Sequence, residues 1–471
     1  MKAKLNNRYY YFLINKELYK KLKFQVHANN TIHQKGKYHI KLDIAAYFIH
    51  LICHKSLQRK DKLKNGYVNL KAEYLKKYHA NYTVYFKFLE KIELVESTRS
   101  YRPKHYSKGY RIKHELDCSD FDCYEVKDFS FRKKLTKLNL KRMQTADKTT
   151  YHLTKWLNID HLSIDYDNAI QYLKNYKGLP KQKQIRKFAV EIIRTGLIDY
   201  SREGRDNRLH SILTHLPKDM RKFIKTSNNE ELMALDIKSS QPYLFAALLK
   251  LIFIDKDLIK IEGLYKLIKD KNIRQRVSSI ISIMIHKNLE YTDILEISEF
   301  INLVETKDIY NYISSNFTEK LKYEIETPIG IGDYFYCKNV KKNKYKHFDN
   351  LRDYSKAIML EYLYCSPSKK RKRRQKEIRN MFPALVNEII DLFKSKYKED
   401  FAILLQNIEA GLILDIITKN ISLIDKNIQL YTIHDSIVTL SKHEEIVLSE
   451  IKNIYLNFFD WLPKIKSEVW V

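Results

Sequence analysis

The chain has 471 residues, 44% of them hydrophobic and 13% aromatic, enough apolar mass for roughly two to four folded domains and too much for a disordered protein. Lys plus Arg outnumber Asp plus Glu by 86 to 56, a net charge of +30, which points to a polyanionic partner, nucleic acid first. A composition rich in Lys, Ile, Asn and Tyr is also what an AT-rich genome would encode. Residues Met1 to Arg8 lead into polar and aromatic positions without an apolar signal core, and no run reaches the roughly 18 apolar residues of a membrane span. A soluble, cytoplasmic protein with no membrane partner is therefore expected. Five scattered cysteines, Cys53, Cys118, Cys123, Cys337 and Cys365, lack zinc-ligand spacing and are expected to be reduced thiols.

Ten glycines and eight prolines leave little punctuation, so segment borders are read from changes of pattern. After an N-terminal segment, 1–40, residues 41–113 read as three helices and a hairpin. The helices are Lys41 to Ser56, Lys71 to Tyr78 and Tyr82 to Ile92; Glu93-Leu94-Val95-Glu96 and Tyr110-Arg111-Ile112 flank a basic tip. That order resembles a winged helix-turn-helix. In such a module the Tyr82-to-Ile92 helix would enter a groove, and Arg99, Arg102, Lys104, His105 and Lys108 at the tip would touch phosphates; the same fold also serves as a protein-docking wedge. Residues 114–200 read as amphipathic helices, a thumb-like region or linker. Arg132, Lys133, Lys134, Lys137, Lys141 and Arg142 along it suit a nucleic-acid backbone or a solvated helix face.

The chemistry is concentrated further on. Leu232-Met233-Ala234-Leu235-Asp236-Ile237 is an apolar run with one acid near its end, and Pro242 opens the helical stretch that follows, which puts Asp236 at the mouth of a buried strand. About 200 residues later, Leu430 to Ile433 runs into His434-Asp435-Ser436 and continues apolar through Leu440, the pattern of a tight hairpin. Two carboxylates at adjacent strand ends can share two divalent ions, and hard oxygen ligands suit Mg²⁺, with Mn²⁺ able to substitute. Between them, Arg352, Lys356, Leu360 and Tyr364 step by four along one helical stripe. Two cations, an apolar contact and an aromatic would meet the triphosphate, sugar and base of a nucleotide in that order. Lys369-Lys370-Arg371-Lys372-Arg373-Arg374-Gln375-Lys376 follows, readable as a solvated loop near template, a phosphate clamp or an import-like run.

The order and spacing of these pieces resemble the family-A DNA polymerases and their single-subunit RNA polymerase relatives over about residues 200–471. Asp236 fits the first palm motif, Arg352-x3-Lys356-x3-Leu360-x3-Tyr364 the fingers-helix motif, and His434-Asp435-Ser436 the last palm motif. Gly204-Arg205, Arg208-Leu209-His210 and Leu216-Pro217 are similar to the segment that touches the primer-template; Met381-Phe382-Pro383 and a helix from Leu404 to Thr418 fall in their places downstream. The resemblance implies that Asp236 and Asp435 bind two Mg²⁺ ions with the Ile237 carbonyl, and that Arg352 and Lys356 hold the triphosphate. It also implies that Tyr364 sits by the sugar and template base, that Arg205, Arg208 and His210 contact the primer-template, and that His434 supports the primer end. Gln241 falls where the DNA enzymes usually place a glutamate that blocks a ribose 2′-OH.

Departures from the pattern bear on the substrate. Leu360 stands for the usual Phe or Tyr, Glu361 and Cys365 stand for glycines, and Ser436 follows the metal aspartate as in the RNA enzymes; Gln241 favours deoxynucleotides. The expected architecture is α+β and helix-rich: the N-terminal segment, a winged helix, the helical thumb-like region, a palm of antiparallel strands split between 201–256 and 401–471, and helical fingers, 257–400, inserted between. About 200 residues precede the palm and no Asp-x-Glu pair is present, so no proofreading exonuclease is expected. The leading expectation is a DNA-directed DNA polymerase using nucleoside triphosphates and a primer-template of DNA or RNA. An RNA-synthesising primase or RNA polymerase, a template-independent strand extender, and a non-catalytic winged-helix initiator or adaptor are the alternatives.

Overall fold

The computed structural model describes residues 9–36, 38–58, 66–98, 107–113, 121–226, 228, 230–287, 289–317, 325–326, 335–339, 344–348, 350–364, 373–395, 397 and 399–470. Arg99, Arg102, Lys104, His105, Cys118, Cys365 and Lys369 to Lys372 lie outside the described residues, as do the side chains of Cys337, Arg373 and Arg374.

Strand β1 (Tyr11–Asn15) ends in Asn15, whose side chain accepts from the Leu18 N–H at 3.1 Å and so caps α1 (Lys16–Ile32). Then come α2 (Leu42–Gln58), β2 (Val68–Asn69), α3 (Ala72–Lys76), α4 (Tyr82–Lys91), β3 (Val95–Ser97) and β4 (Gly109–Ile112), with β2, β4 and β3 in one antiparallel sheet. Strand β2 was not anticipated, because two residues carry no readable period. Helix α4 buries Tyr85, Phe86, Phe88 and Leu89 and leaves Thr83, Lys87 and Lys91 exposed; Phe86 packs on Tyr110 at 4.1 Å between ring centroids. Strand β5 (Phe121–Glu125) returns to pair with β1, so residues 9–40 and 41–113 share one core. Lys108 reaches Glu90 at 3.4 Å.

Asp128 caps α5 (Phe129–Thr154) by accepting from the Phe131 N–H at 2.8 Å. Lys133, Lys134, Lys137 and Lys141 are exposed along it, but Arg142 is half-buried in an ion pair with Asp199 and leaves the basic surface. Short strands β6 (Ser163–Ile164), β7 (Tyr200–Ser201), β8 (His210–Ser211) and β9 (Ile224–Lys225) pair as β6 with β9 and β7 with β8. Among them lie α6 (Tyr166–Lys174), α7 (Pro180–Thr195) and α8 (Ile212–His215). Helix α7 starts on Pro180 and stops at Gly196, whose φ of +68° is the left-handed cap that glycine adopts without strain.

Strand β10 (Leu232–Ile237) leads into α9 (Ser240–Leu249), every residue of which is buried. Helices α10 (Leu258–Leu267), α11 (Lys271–Ile285), α12 (Tyr291–Thr306) and α13 (Ile309–Ser315) follow. The insert, expected to be mainly helical, also holds an antiparallel sheet of β11 (Ile325–Glu326), β12 (Phe335–Asn339) and β13 (Lys344–Phe348). Its remaining helices are α14 (Leu351–Tyr364), α15 (Arg373–Asn380) and α16 (Ala384–Lys394). Helix α17 (Asp400–Ala410) runs through a π-helical stretch, Gly411–Ile417, into α18 (Thr418–Ile424). This 25-residue rod is long and apolar enough to cross a membrane, yet it is mostly buried inside the protein and serves as the core helix. A Cβ at Gly411 would lie 2.6 Å from Leu267 Cβ, so glycine there lets α10 approach closely. Strands β14 (Leu430–Ile433), β15 (Ser436–Leu440) and β16 (Ile465–Val469) complete an antiparallel sheet in the order β14-β15-β10-β16, with α19 (Glu444–Phe459) between the last two in sequence. The fold is α+β and helix-rich, with the second, larger core built around this sheet and the α9 and α17 helices.

Candidate active site

Register alone brings the two aspartates together. Strand β10 pairs with β15 so that Asp236 faces Ser436, and the Ile237 N–H donates to the Asp435 carbonyl at 3.2 Å. Asp435 occupies the two-residue turn of the β14–β15 hairpin, where Ile433 pairs with Ser436 and His434 takes a φ of +58°. Ser239, three residues past Asp236, also has a positive φ, +53°. Non-glycine residues rarely adopt this conformation, and two of them beside the two acids mark a locally strained site of the kind that collects at functional centres.

The electrostatics of the pair are those of a site short of positive charge. Burial raises the Asp435 carboxyl to about 7, and the nearby charges of Glu409 and Asp236 push the same way. Asp236 is also raised, again by burial first, with Glu468 adding to the rise while Lys356, Arg221 and Lys218 oppose it. Asp236 and Asp435 are oxygen donors whose negative charges repel, the condition that a divalent cation relieves. Among the described residues no group of three or more His, Cys, Asp or Glu side chains forms a metal-ligand cluster, so the fit rests on the two aspartates and the backbone. His434 is half-buried beside Arg208 and His210, and burial lowers its pKa to about 4, which keeps the ring neutral.

Helix α14 carries the predicted stripe to this site. Lys356 is exposed, acts on the charge of Asp236, and places its ammonium 5.9 Å from the Tyr310 ring. Arg352 also lies over that ring, 5.2 Å from its centroid, and is oriented by Asp308, which accepts from Nε at 2.9 Å and pairs with Nη2 at 2.8 Å. Leu360 is half-buried on the same face. One turn further, the Tyr364 hydroxyl donates to Gln241 Oε1 at 3.1 Å, while Gln241 Nε2 donates to Glu409 Oε2 at 2.5 Å. Glu409, 1% exposed on α17, also accepts from Ser240 Oγ at 3.0 Å and from the Arg208 guanidinium. The predicted residues Gln241 and Arg208 thus meet on one buried carboxylate, and Tyr364 is linked to it through Gln241.

Two of the predicted nucleic-acid contacts lie further out. Arg205 is exposed with its guanidinium 3.7 Å from Asp400, and His210 is held by Asp206 at 3.2 Å with its ring edge-on to His434, 6.4 Å away.

Sequence reading missed Glu409, Tyr310, Asp308 and Arg221. Glu409 carried a usable signal: the only acid between Ile403 and Leu414 must be neutralised by something when that helix is buried. Tyr310 and Asp308 carried none, since they reach Arg352 across more than forty residues of chain.

No family model matches this chain, and no curated protein matches its sequence. Among solved structures it is similar to the POL domain of Pol1 from M. smegmatis in complex with DNA primer-template and dNTP, at 12% identity and a TM-score of 0.24. The match covers 65% of this chain and 56% of that one, so the chain spans little more than half of that structure's length. At that TM-score the likeness carries no argument, and the functional reading rests on the side chains.

Proposed function

We propose that this protein is a nucleic-acid polymerase of family-A type, adding nucleotides to the 3′ end of a primer on a template and acting chiefly on deoxynucleotides. The observation that carries the reading is convergence: two acids 199 residues apart in sequence (435 minus 236) share one end of one sheet, and Lys356 and Tyr364 of a single helix reach Asp236 and Gln241 beside them. In this reading the sheet is the palm and residues 257–400 are the fingers.

Asp236 and Asp435, with the Ile237 carbonyl, would hold two Mg²⁺ ions, whose chemistry there is acidification of the strand's terminal hydroxyl and neutralisation of the departing pyrophosphate. Arg352 and Lys356 orient the triphosphate and offset its charge; the Tyr310 ring lies against both side chains and Asp308 holds Arg352 in place. The primer hydroxyl bonds to the α-phosphorus, the bond to the β-phosphate oxygen breaks, and pyrophosphate leaves. Gln241, tied at its oxygen to Tyr364 and at its nitrogen to Glu409, is too constrained to swing away from a ribose 2′-OH, which supports the choice of deoxynucleotides. Neutral His434, beside Arg208, supports the primer end. The order of α2, α3, α4 and the β3–β4 hairpin is that of a winged helix, and exposed Lys87 and Lys91 on α4 suit contact with a duplex backbone.

A primer-extension assay with Mg²⁺ and a labelled primer-template, supplied with dNTPs or NTPs separately, tests this with Asp236→Ala alongside. Template-dependent products from dNTPs that vanish in the variant support the reading. Products from NTPs alone transfer the protein to the RNA branch, to which Ser436 and Leu360 belong, and no product under any primer, template or metal leaves the initiator or adaptor role.

A further inference from the structure

Arg221 stands apart from the other cations around the two aspartates. It lies in the 3₁₀ turn Lys218–Phe223 just before β9, half-buried, and its side chain makes no hydrogen bond or ion pair among the described residues. Its Nε is buried without a partner. The guanidinium lies instead over Trp470, 5.7 Å from the ring centroid, and Trp470 is pinned to the sheet by its backbone N–H, which donates to the Leu232 carbonyl of β10 at 2.9 Å. A guanidinium is a strong planar donor of five N–H groups. Leaving one half-buried and unpaired is costly unless a ligand completes it.

The surroundings say what that ligand is. Beside Arg221 opens a cleft of about 430 Å³ between the turn and the β16 edge, walled by Tyr172 and Trp470. Its acids are already matched: Glu468 pairs with Lys218 at 2.8 Å, and Asp219 receives Arg186 at 2.8 Å and the Tyr172 hydroxyl at 2.8 Å. Lys222 is exposed over the Tyr172 ring at 5.4 Å and has no ion pair among the described residues. The cleft therefore carries more positive than negative charge against aromatic walls, and the charges of Glu468 first and then of Asp236 and Asp435 act on Arg221. Lys356 acts on Asp236 from α14, a different element, so in the polymerase reading the triphosphate has its own cations on that helix.

We propose that Arg221, with Lys222, forms a phosphate-binding subsite at the β16 edge that takes the backbone phosphodiester next to the growing end of the strand. The subsite rests on the polymerase reading for the identity of that strand, while phosphate as the ligand follows from the unpaired guanidinium and the charge of the cleft. A guanidinium can present Nη1 and Nη2 as a bidentate donor, the arrangement that suits phosphate oxygens and that lysine cannot reproduce. Pyrophosphate offers the same chemistry and is the other source to be separated.

The test is binding without turnover: fluorescence anisotropy of a labelled primer-template duplex in EDTA, over a series of NaCl concentrations, for the parent, Arg221→Gln, Arg221→Lys and Lys222→Gln. Calorimetric titration with inorganic pyrophosphate is run beside it. Arg221→Gln is expected to weaken duplex binding several-fold and to make the plot of log affinity against log salt shallower by about 1, the signature of one lost phosphate contact. Arg221→Lys should restore the slope but only part of the affinity. If Arg221→Gln melts early, Lys222→Gln, an exposed substitution, carries the same slope comparison. Unchanged duplex affinity with pyrophosphate binding lost assigns the subsite to the leaving group. Binding of both ligands indistinguishable from the parent in Arg221→Gln and Lys222→Gln overturns the subsite. A parent that extends no primer but whose duplex slope depends on Arg221 keeps the subsite and removes the polymerase reading; the converse removes the subsite alone.

Discussion

Glu409→Gln isolates the buried carboxylate on which the pocket converges. The substitution keeps the volume of the side chain, so no cavity is created. It removes the charge that compensates Arg208, and its amide group turns a donor toward either Arg208 or the Gln241 Nε2, which itself needs an acceptor. Breaking a buried pair by deleting one partner costs about 3–5 kcal/mol. Against this, Glu409 is the largest charge raising Asp435, and its removal relieves that carboxyl by something on the order of 1 kcal/mol. The net expectation is a loss of about 2–4 kcal/mol at neutral pH. Trp156, Trp461 and Trp470 all sit in the larger core, so tryptophan fluorescence during urea unfolding reports the unit that contains Glu409. Arg208→Met combined with Glu409→Gln should cost at least about 2 kcal/mol less than the sum of the single variants, because no orphan charge remains. Additive single and double variants, or a Glu409→Gln protein as stable as the parent, would refute the pairing as the source of the stability.

Further outcomes follow from the same geometry. Asp236→Ala and Asp435→Asn should each lower primer extension by at least about 1,000-fold while duplex affinity, read by anisotropy, stays within a few-fold of the parent. Asp435 has a folded pKa raised to about 7 from 3.8, so the folded state binds its proton more tightly than the unfolded chain. The stability this gives is complete below about pH 4 and is lost as pH rises through 7. A bound divalent cation replaces that proton, so the thermal shift produced by Mg²⁺ should be larger at pH 8 than at pH 5.5 and absent in Asp435→Asn; a pH-independent shift would count against the two aspartates as ligands. Gly411→Ala should destabilise the core by about 1–3 kcal/mol in the same urea assay, because its Cβ meets Leu267 Cβ and not a mobile side-chain tip. Gln241→Ala should reduce the preference for dNTPs over NTPs in single-nucleotide incorporation, with the loss falling on discrimination more than on the dNTP rate.

Much of the candidate site was legible because its signals are local. An acid closing an apolar run, a two-residue break between alternating apolar strands and a four-residue stripe of Arg352, Lys356, Leu360 and Tyr364 each depend on neighbours within one element, where backbone period and turn geometry decide orientation. The helices of 41–113 and the β3–β4 hairpin were readable for the same reason. Short strands such as β2 and the small sheet β11 to β13 were not, since their pairing is a property of distant partners and two to five residues hold too little periodicity.

The amino-acid sequence by itself determined which residues carry charge and hydrogen-bonding groups, and which faces of which elements they occupy. Tertiary structure alone decided how those charges are matched. Arg142 was read as part of a basic surface, yet Asp199 draws it inward; Glu409 gathers Arg208, Ser240 and Gln241 from more than 160 residues away; Arg221 lies over an aromatic ring and has no ion pair among the described residues. The physical reason is that a charge in a partly buried place must find compensation from whatever packs beside it, and packing is set by the register of strands and the close approach of helices across the whole chain, not by spacing along it.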